Sequence, residues 1–259
     1  MAELCSYVIE EQIAVVTIDH PPMNALDEAT KEAIGRVFDE LDQRRDELRA
    51  AILRGAGDKA FVAGADINSF LTLTPDAAKR RQKRTHAIVA KIEDFQWPVI
   101  AAIDGFCLGG GLELALCCDV RYAEEQSRFG FPEVNLAIFP GNGGTVRSLR
   151  HAPLGKVKEL IFGGEMISAQ EALACGLIEK VVPRGQALEA AMTLARRIAG
   201  RGPLGVAAAK KSINRARELS VAMGLESESD LWSGLCATED QKEGARAFLE
   251  KRPPKFLGR

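Results

Sequence analysis

The chain has 259 residues, 46% hydrophobic and 27% charged, a net charge of −2 and a pI near 6.0. That composition is of a soluble globular protein with a large core, and it gives no global attraction to nucleic acid or anionic membrane. No run approaches the roughly eighteen apolar residues of a membrane span, and the start, with Glu3, Glu10 and Glu11, has no signal-peptide character, so a cytoplasmic protein without a membrane partner is expected.

Tyr7–Glu10 and Ile13–Ile18 read as a strand hairpin that ends at His20-Pro21-Pro22. Met23-Asn24-Ala25-Leu26 leads into a helix with Asp27 as N-cap. Its apolar stripe runs through Thr30, Ala33, Ile34, Val37, Phe38 and Leu41, and Glu28, Lys31, Glu32, Arg36, Asp39 and Glu40 make its wet face. A strand at Ala50–Arg54 gives way to a loop of small residues from Gly55 to Ile67. This loop can present a backbone amide, from Ala65; it also fits a turn chosen for packing.

Pro75–Phe95 is helical, with Ile88, Val89, Ile92 and Phe95 on its apolar side and a basic cluster of Lys79, Arg80, Arg81, Lys83 and Arg84. The cluster fits a solvated face or a phosphate-binding surface. The apolar strand Trp97–Ile103 then runs into Asp104-Gly105-Phe106-Cys107-Leu108-Gly109-Gly110-Gly111-Leu112-Glu113, which opens the helix continuing to Cys118. The first amides of a helix lack intrahelical partners and carry partial positive charge, so Gly110 can donate to an oxygen bearing negative charge. Glu113, three residues on, shares its face. The pair suggests acid–base chemistry beside an oxyanion site, although glycines that only permit close helix packing would look the same.

Asp119–Ala123 reads as a further strand, and Pro132 puts Glu133 on an irregular segment. The run Pro140–Thr145 opens another helix, through Arg147 and Leu149. Ser168-Ala169-Gln170-Glu171 is a capping box for a helix that stops at Gly176, and Val181-Val182-Pro183 closes the strand-bearing part. From Gln186 the chain is helical, with Pro203 opening one helix and Thr238 with Gln241 capping the last. Apolar stripes on such a tail need a surface to pack on, such as another subunit. Six scattered cysteines without a CxxC fit reduced thiols, and His20, His86 and His151 have no metal-ligand spacing.

His20–Leu26, Phe61–Ile67, Gly105–Asp119, Phe129–Glu133, Pro140–Thr145 and Thr238–Gly244, in that order, resemble the enoyl-CoA hydratase/isomerase (crotonase) family over nearly the whole chain. The resemblance implies an α/β fold, a spiral of ββα units over residues 1–185, followed by a helical oligomerisation region over 186–259 that forms a trimer or a dimer of trimers. It implies an acyl-CoA thioester substrate, no metal and no further cofactor, and a place in fatty-acid metabolism such as β-oxidation. The thioester oxygen falls to the amides of Ala65 and Gly110, and the two hydratase glutamates to Glu113 and Glu133. Met23, Ala63, Asp66, Ile67, Gly141, Phe248 and Lys251 match substrate- or CoA-binding positions, the last two reaching a neighbouring subunit's CoA.

The implied reaction is reversible syn addition of water to a 2-enoyl-CoA, giving a 3-hydroxyacyl-CoA. Glu113 activates water and Glu133 protonates Cα, while the sequence leaves open which starts protonated. Phe131 and Ala137 stand where Gln and Gly are frequent in hydratases; Phe131 either removes a polar contact near the glutamates or shapes the acyl pocket for a bulky or branched chain. The alternatives are an isomerase working through Glu133 alone and a hydratase of branched or cyclic enoyl-CoAs, since the chain end and Gly111–Leu116 resemble methylglutaconyl-CoA hydratases. An RNA-binding homologue using Lys79–Arg84 is disfavoured by the negative charge and the absence of interleaved aromatic residues.

Overall fold

A computed structural model describes residues 3–65 and 67–259. The first hairpin forms as expected, β1 (Cys5–Glu10) pairing antiparallel with β2 (Ile13–Ile18). Its two turn residues, Glu11 and Gln12, have φ of 51° and 65°, as a tight two-residue hairpin requires. Asp27 then caps α1 (Glu28–Gln43) by accepting the Thr30 amide at 2.7 Å.

From there the chain repeats one design. β3 (Ala50–Gly55) is followed by β4 (Ala60–Ala63) and α2 (Pro75–Glu93); β5 (Val99–Ile103) by β6 (Phe106–Leu108) and α3 (Gly110–Ala115); β7 (Val120–Glu124) by β8 (Arg128–Gly130). The longer strand of each turn joins a six-stranded sheet, and the shorter joins a second, four-stranded sheet. Then come α4 (Gly144–Arg147), α5 (Leu154–Gly163), β9 (Met166–Ser168), α6 (Ala169–Ala174) and β10 (Lys180–Val182). The large sheet has the order β1-β2-β3-β5-β7-β10 and the small one β4-β6-β8-β9. Within the repeats both sheets pair parallel, so every turn returns the chain to the same edge. These are the ββα units expected from the resemblance.

The small sheet corrects the reading from sequence, which takes Gly55–Ile67 and the approach to Gly109 as loops. Strands of three or four residues show no usable periodicity, and their existence depends on partners far along the chain. The helix expected after Pro140–Thr145 is one turn, continued by a 3-10 turn at Ser148–Arg150.

The main core lies between the large sheet and the helices and small sheet around it, with Phe38, Leu53, Phe61 and Phe129 fully enclosed. α7 (Ala187–Ala199) covers the opposite face of the large sheet, where Ala187, Ala191, Met192 and Ala195 pack on Ile13, Ile52 and Ile100. The four-residue recurrence places these side chains on one stripe. α8 (Pro203–Ala216) and α9 (Val221–Leu235) pack on each other, and α10 (Glu239–Leu249) ends the helical region. Lys210 ties α8 to the body through Asp119 Oδ2 at 2.8 Å and the Trp97 carbonyl at 3.1 Å. Ile213, Met223, Leu225, Trp232 and Phe248 remain exposed on these helices.

Candidate active site

The ends of β4, β6 and β8 point their following loops at one cavity of about 270 Å³. Ala63, Gly64, Ala65 and Ile67 come from the first loop, Gly109, Gly110 and Glu113 from the head of α3, and Pro132, Glu133, Asn135 and Leu136 from the turn after β8. Two hydrogen bonds fix the first loop to the segment before α1: Ala63 N to Met23 O at 3.0 Å, and Leu26 N to Gly64 O at 2.9 Å. Asn24 secures that segment, its buried amide donating to the Ala56 and Ala60 carbonyls at 3.0 and 2.8 Å.

α3 sits close against β4 because Gly111 has no side chain; a Cβ there would collide with the Val62 carbonyl. Gly109 has φ of 51° and ψ of −121°, and a Cβ on it would lie 2.6 Å from Glu133 Oε1. This glycine therefore turns the chain into α3 and leaves space for the second carboxylate. Gly110 is the first residue of α3, so its amide has no partner within the helix, and the residue lines the cavity together with Ala65.

The two glutamates have different surroundings. Glu113 is 1% exposed, and its Oε1 accepts the backbone amides of Asn142 at 2.7 Å and Gly144 at 2.8 Å. Burial pushes its pKa up, and these amide donors oppose the rise. The loop that supplies them is held by Arg147, which donates to the Asn142 carbonyl at 3.2 Å and pairs with Glu93 of α2 at 2.7 Å. Glu133 Oε2 is buried with no hydrogen-bond partner among the described residues. Burial first, and then the negative field of Glu113, raises the Glu133 pKa to about 7.

Of the residues expected from sequence, Ala63, Ala65, Ile67, Gly110, Glu113, Glu133 and Gly141 all line the cavity. Asp66 lies outside the described residues. Met23 is not in the lining and touches the site through its carbonyl. Phe248, 83% exposed on α10, and Lys251, just beyond it, are absent from the lining within a single chain. Phe131 is fully buried and packs beneath Gly144, behind the loop that holds Glu113, instead of lining the cavity. Ala137 has φ of 57°, which explains why glycine suits that position.

Sequence reasoning misses the Asn142 and Gly144 donors, although Gly143-Gly144 at a helix head signals free amides. It also misses Lys31, Arg81 and Gln82. The sequence pattern puts Lys31 on the wet face of α1, yet it is 4% exposed because α2 packs over it. Arg81 and Gln82 fall one turn before Thr85, so the buried stripe Thr85, Ile88, Val89, Ile92 extends back through them. Lys79, Arg80, Lys83 and Arg84 of the same basic run are exposed.

A spiral of strand–strand–helix turns, with two glutamates and a helix-head amide around one cavity, is an α/β architecture of the crotonase class. The sequence profile of the enoyl-CoA hydratase/isomerase family matches residues 8–259, and the chain belongs to that family. It is 40% identical over 253 residues to a short-chain-enoyl-CoA hydratase of Clostridium acetobutylicum, covering 96% of this chain and 97% of the relative. A crotonyl-CoA hydratase of Syntrophomonas wolfei is 41% identical over 256 residues, covering 96% of both chains. The crystal structure of an enoyl-CoA hydratase from Bacillus anthracis superposes with a TM-score of 0.94 at 36% identity, covering 99% of this chain and 100% of that one.

Proposed function

We propose that this protein is an enoyl-CoA hydratase that adds water reversibly, in the syn sense, across a 2-enoyl-CoA thioester. The observation that carries this reading is the pair of buried glutamates on one cavity: Glu113 charge-stabilised by two amides, Glu133 unpaired and holding its proton near neutrality. Hydration needs one carboxylate to take a proton from water and one carboxylic acid to supply a proton to Cα. Glu113 is the base and Glu133 the acid.

As water adds at Cβ, charge moves onto the thioester oxygen, and the amides of Ala65 and Gly110 receive it. Donors aimed at developing charge in a site shielded from water lower the barrier; one such donor is worth about a hundred- to a thousandfold in rate. After proton delivery to Cα, Glu113 holds the proton from water and Glu133 is ionised. Exchange with solvent restores both. The residues carry out this chemistry with coenzyme A entering only as part of the substrate, and no further cofactor takes part.

Ala63, Ile67 and Gly141 contact the acyl-CoA, and Met23 and Asp66 belong to the same binding set. The exposed apolar side chains of α8, α9 and α10 support assembly into a trimer or a dimer of trimers through residues 186–259, with Phe248 and Lys251 reaching a neighbouring subunit's CoA. Among the described residues no helix is long and apolar enough to cross a membrane. We place the protein in the cytoplasm.

The test is loss of the enoyl-thioester absorbance on a panel of short, long and branched 2-enoyl-CoAs with wild type, Glu113→Gln and Glu133→Gln. Hydration of one member that collapses in both variants supports the reading; variants that match wild type defeat it.

A further inference from the structure

The wall of the cavity formed by α1 and α2 is not apolar. Lys31, Arg81 and Gln82 line it, among Leu26, Phe70 and Leu73. Lys31 Nζ and Arg81 Nε both contact Glu28 Oε1, the latter at 2.8 Å, so two cations converge on one carboxylate oxygen. Among the described residues Glu28 is the only acid in ion-pair contact with either; the nearby Asp27 is engaged by the Thr30 amide and His20. Lys31 also donates to Thr85 Oγ1 at 3.2 Å, and Arg81 Nη1 to Ser69 Oγ at 2.8 Å.

Gln82 adds a second, independent observation. Its Oε1 is buried with no hydrogen-bond partner among the described residues, and its amide sits against Gly141, next to the loop that holds Glu113. Leaving a buried polar atom unpaired is costly. A cavity meant only for a hydrocarbon tail gains nothing from such a group, nor from an Arg and a Lys that share one counter-ion.

Resting on the hydratase reading, the geometry points to an acyl chain that ends in a carboxylate, with Arg81 and Lys31 receiving the terminal anion and the Gln82 side-chain amide, turned so that its Nε2 faces the cavity, donating to the anion's second oxygen. The guanidinium of Arg81 supplies directed donors, and Lys31 supplies charge at short range. The positive wall then acts as the specificity element: a terminal carboxylate supplies the second counter-ion, whereas a methyl end leaves the two cations with Glu28 alone.

The experiment compares matched medium-chain 2-enoyl-CoAs ending in carboxylate, carboxamide or methyl, by kcat/KM, with calorimetric binding of the corresponding saturated acyl-CoAs as a readout independent of turnover. Wild type is expected to favour the carboxylate over the methyl end by about ten- to a hundredfold, the worth of a charged hydrogen bond. That ratio collapses in Arg81→Met and Lys31→Met and returns in part in Arg81→Lys. Equal or better hydration of the methyl-ended chain by wild type overturns the proposal and leaves the hydratase reading standing. Weakened binding of CoA itself in Arg81→Met, equal to that of every thioester, also overturns it, because the cations then serve a phosphate. If nothing is hydrated but the carboxylate-ended acyl-CoA still binds best, the specificity stands and the hydratase reading falls.

Discussion

Glu113 and Glu133 open on the same cavity from opposite kinds of surroundings. Glu113 is enclosed at the first turn of a helix, with two loop amides on one oxygen; Glu133 stands on an irregular turn with one oxygen unpaired among the described residues. Burial raises both, and only Glu113 has donors from a neighbouring loop that oppose the rise. Two carboxyl groups of the same chemistry thus meet different electrostatic surroundings, as the proposed division into base and acid requires. Unpaired polar atoms on a buried wall are costly for folding, and Glu133 Oε2 is one that lies on the cavity.

The largest expected effect breaks the base. Glu113→Gln keeps shape and an acceptor oxygen for the two amides but removes the proton acceptor, so kcat should fall by about a hundred- to ten-thousandfold with little change in KM. Steady-state kinetics on a hydrated 2-enoyl-CoA checks it. A fall below about tenfold would mean that Glu113 is only a loop anchor. Next is Gly109→Ala, which puts a Cβ 2.6 Å from Glu133 Oε1 and a side chain at φ of 51°. It should destabilise the fold by about 1–3 kcal/mol, measured by urea unfolding, and displace Glu133 so that kcat falls as well. Unchanged stability would show that the turn relaxes freely.

The third test sharpens the difference by pH. Glu133 holds its proton more tightly folded, at about 7, than at its ordinary 4.5. Its contribution to stability is therefore complete below pH 4.5 and lost as pH rises through 7. Glu133→Gln, fixed in the neutral state, should match wild type near pH ~4 and exceed it above pH ~8 by on the order of 2–3 kcal/mol. Tm measured against pH reads this directly, and a constant difference between the two proteins would remove the unpaired-acid picture. The same ionisation should slow wild-type hydration as pH passes about 7, because the acid for Cα is lost.

The site was legible where chemistry follows from backbone position. A strand running into glycines and then a helix puts a free amide at Gly110 and a carboxylate at Glu113 on one face, whatever surrounds them. The hairpin, the Asp27 and Ser168 caps and the C-terminal helices were legible for the same local reasons. The small sheet was not, since β4, β6 and β8 exist only through pairing between residues far apart in sequence, such as Ala63 with Leu108. Nor was the inward turn of Lys31 and Arg81. Arg80, next to Arg81 and of the same charge, stays exposed, so composition cannot tell the two apart; packing of α2 over α1 decides it.

The smallest effect concerns the turn that carries Glu133. The 3-10 turn Pro132–Leu136 ends at Ala137 with φ of 57° and ψ of 29°, a left-handed conformation that costs a residue with a Cβ about 1 kcal/mol relative to glycine. The Ala137 amide bonds the Val134 carbonyl at 3.0 Å, and Ile138 N bonds the Glu133 carbonyl at 3.3 Å, so the strained residue closes the turn on the acid itself. Ala137→Gly relieves the strain in the folded state and loosens the unfolded chain, which offsets part of the gain. The net expectation is a stabilisation of about 0.5 kcal/mol by urea unfolding, with the Glu113 side of the cavity untouched. A loss of stability would mean that the Ala137 methyl packs to more advantage than its backbone is strained.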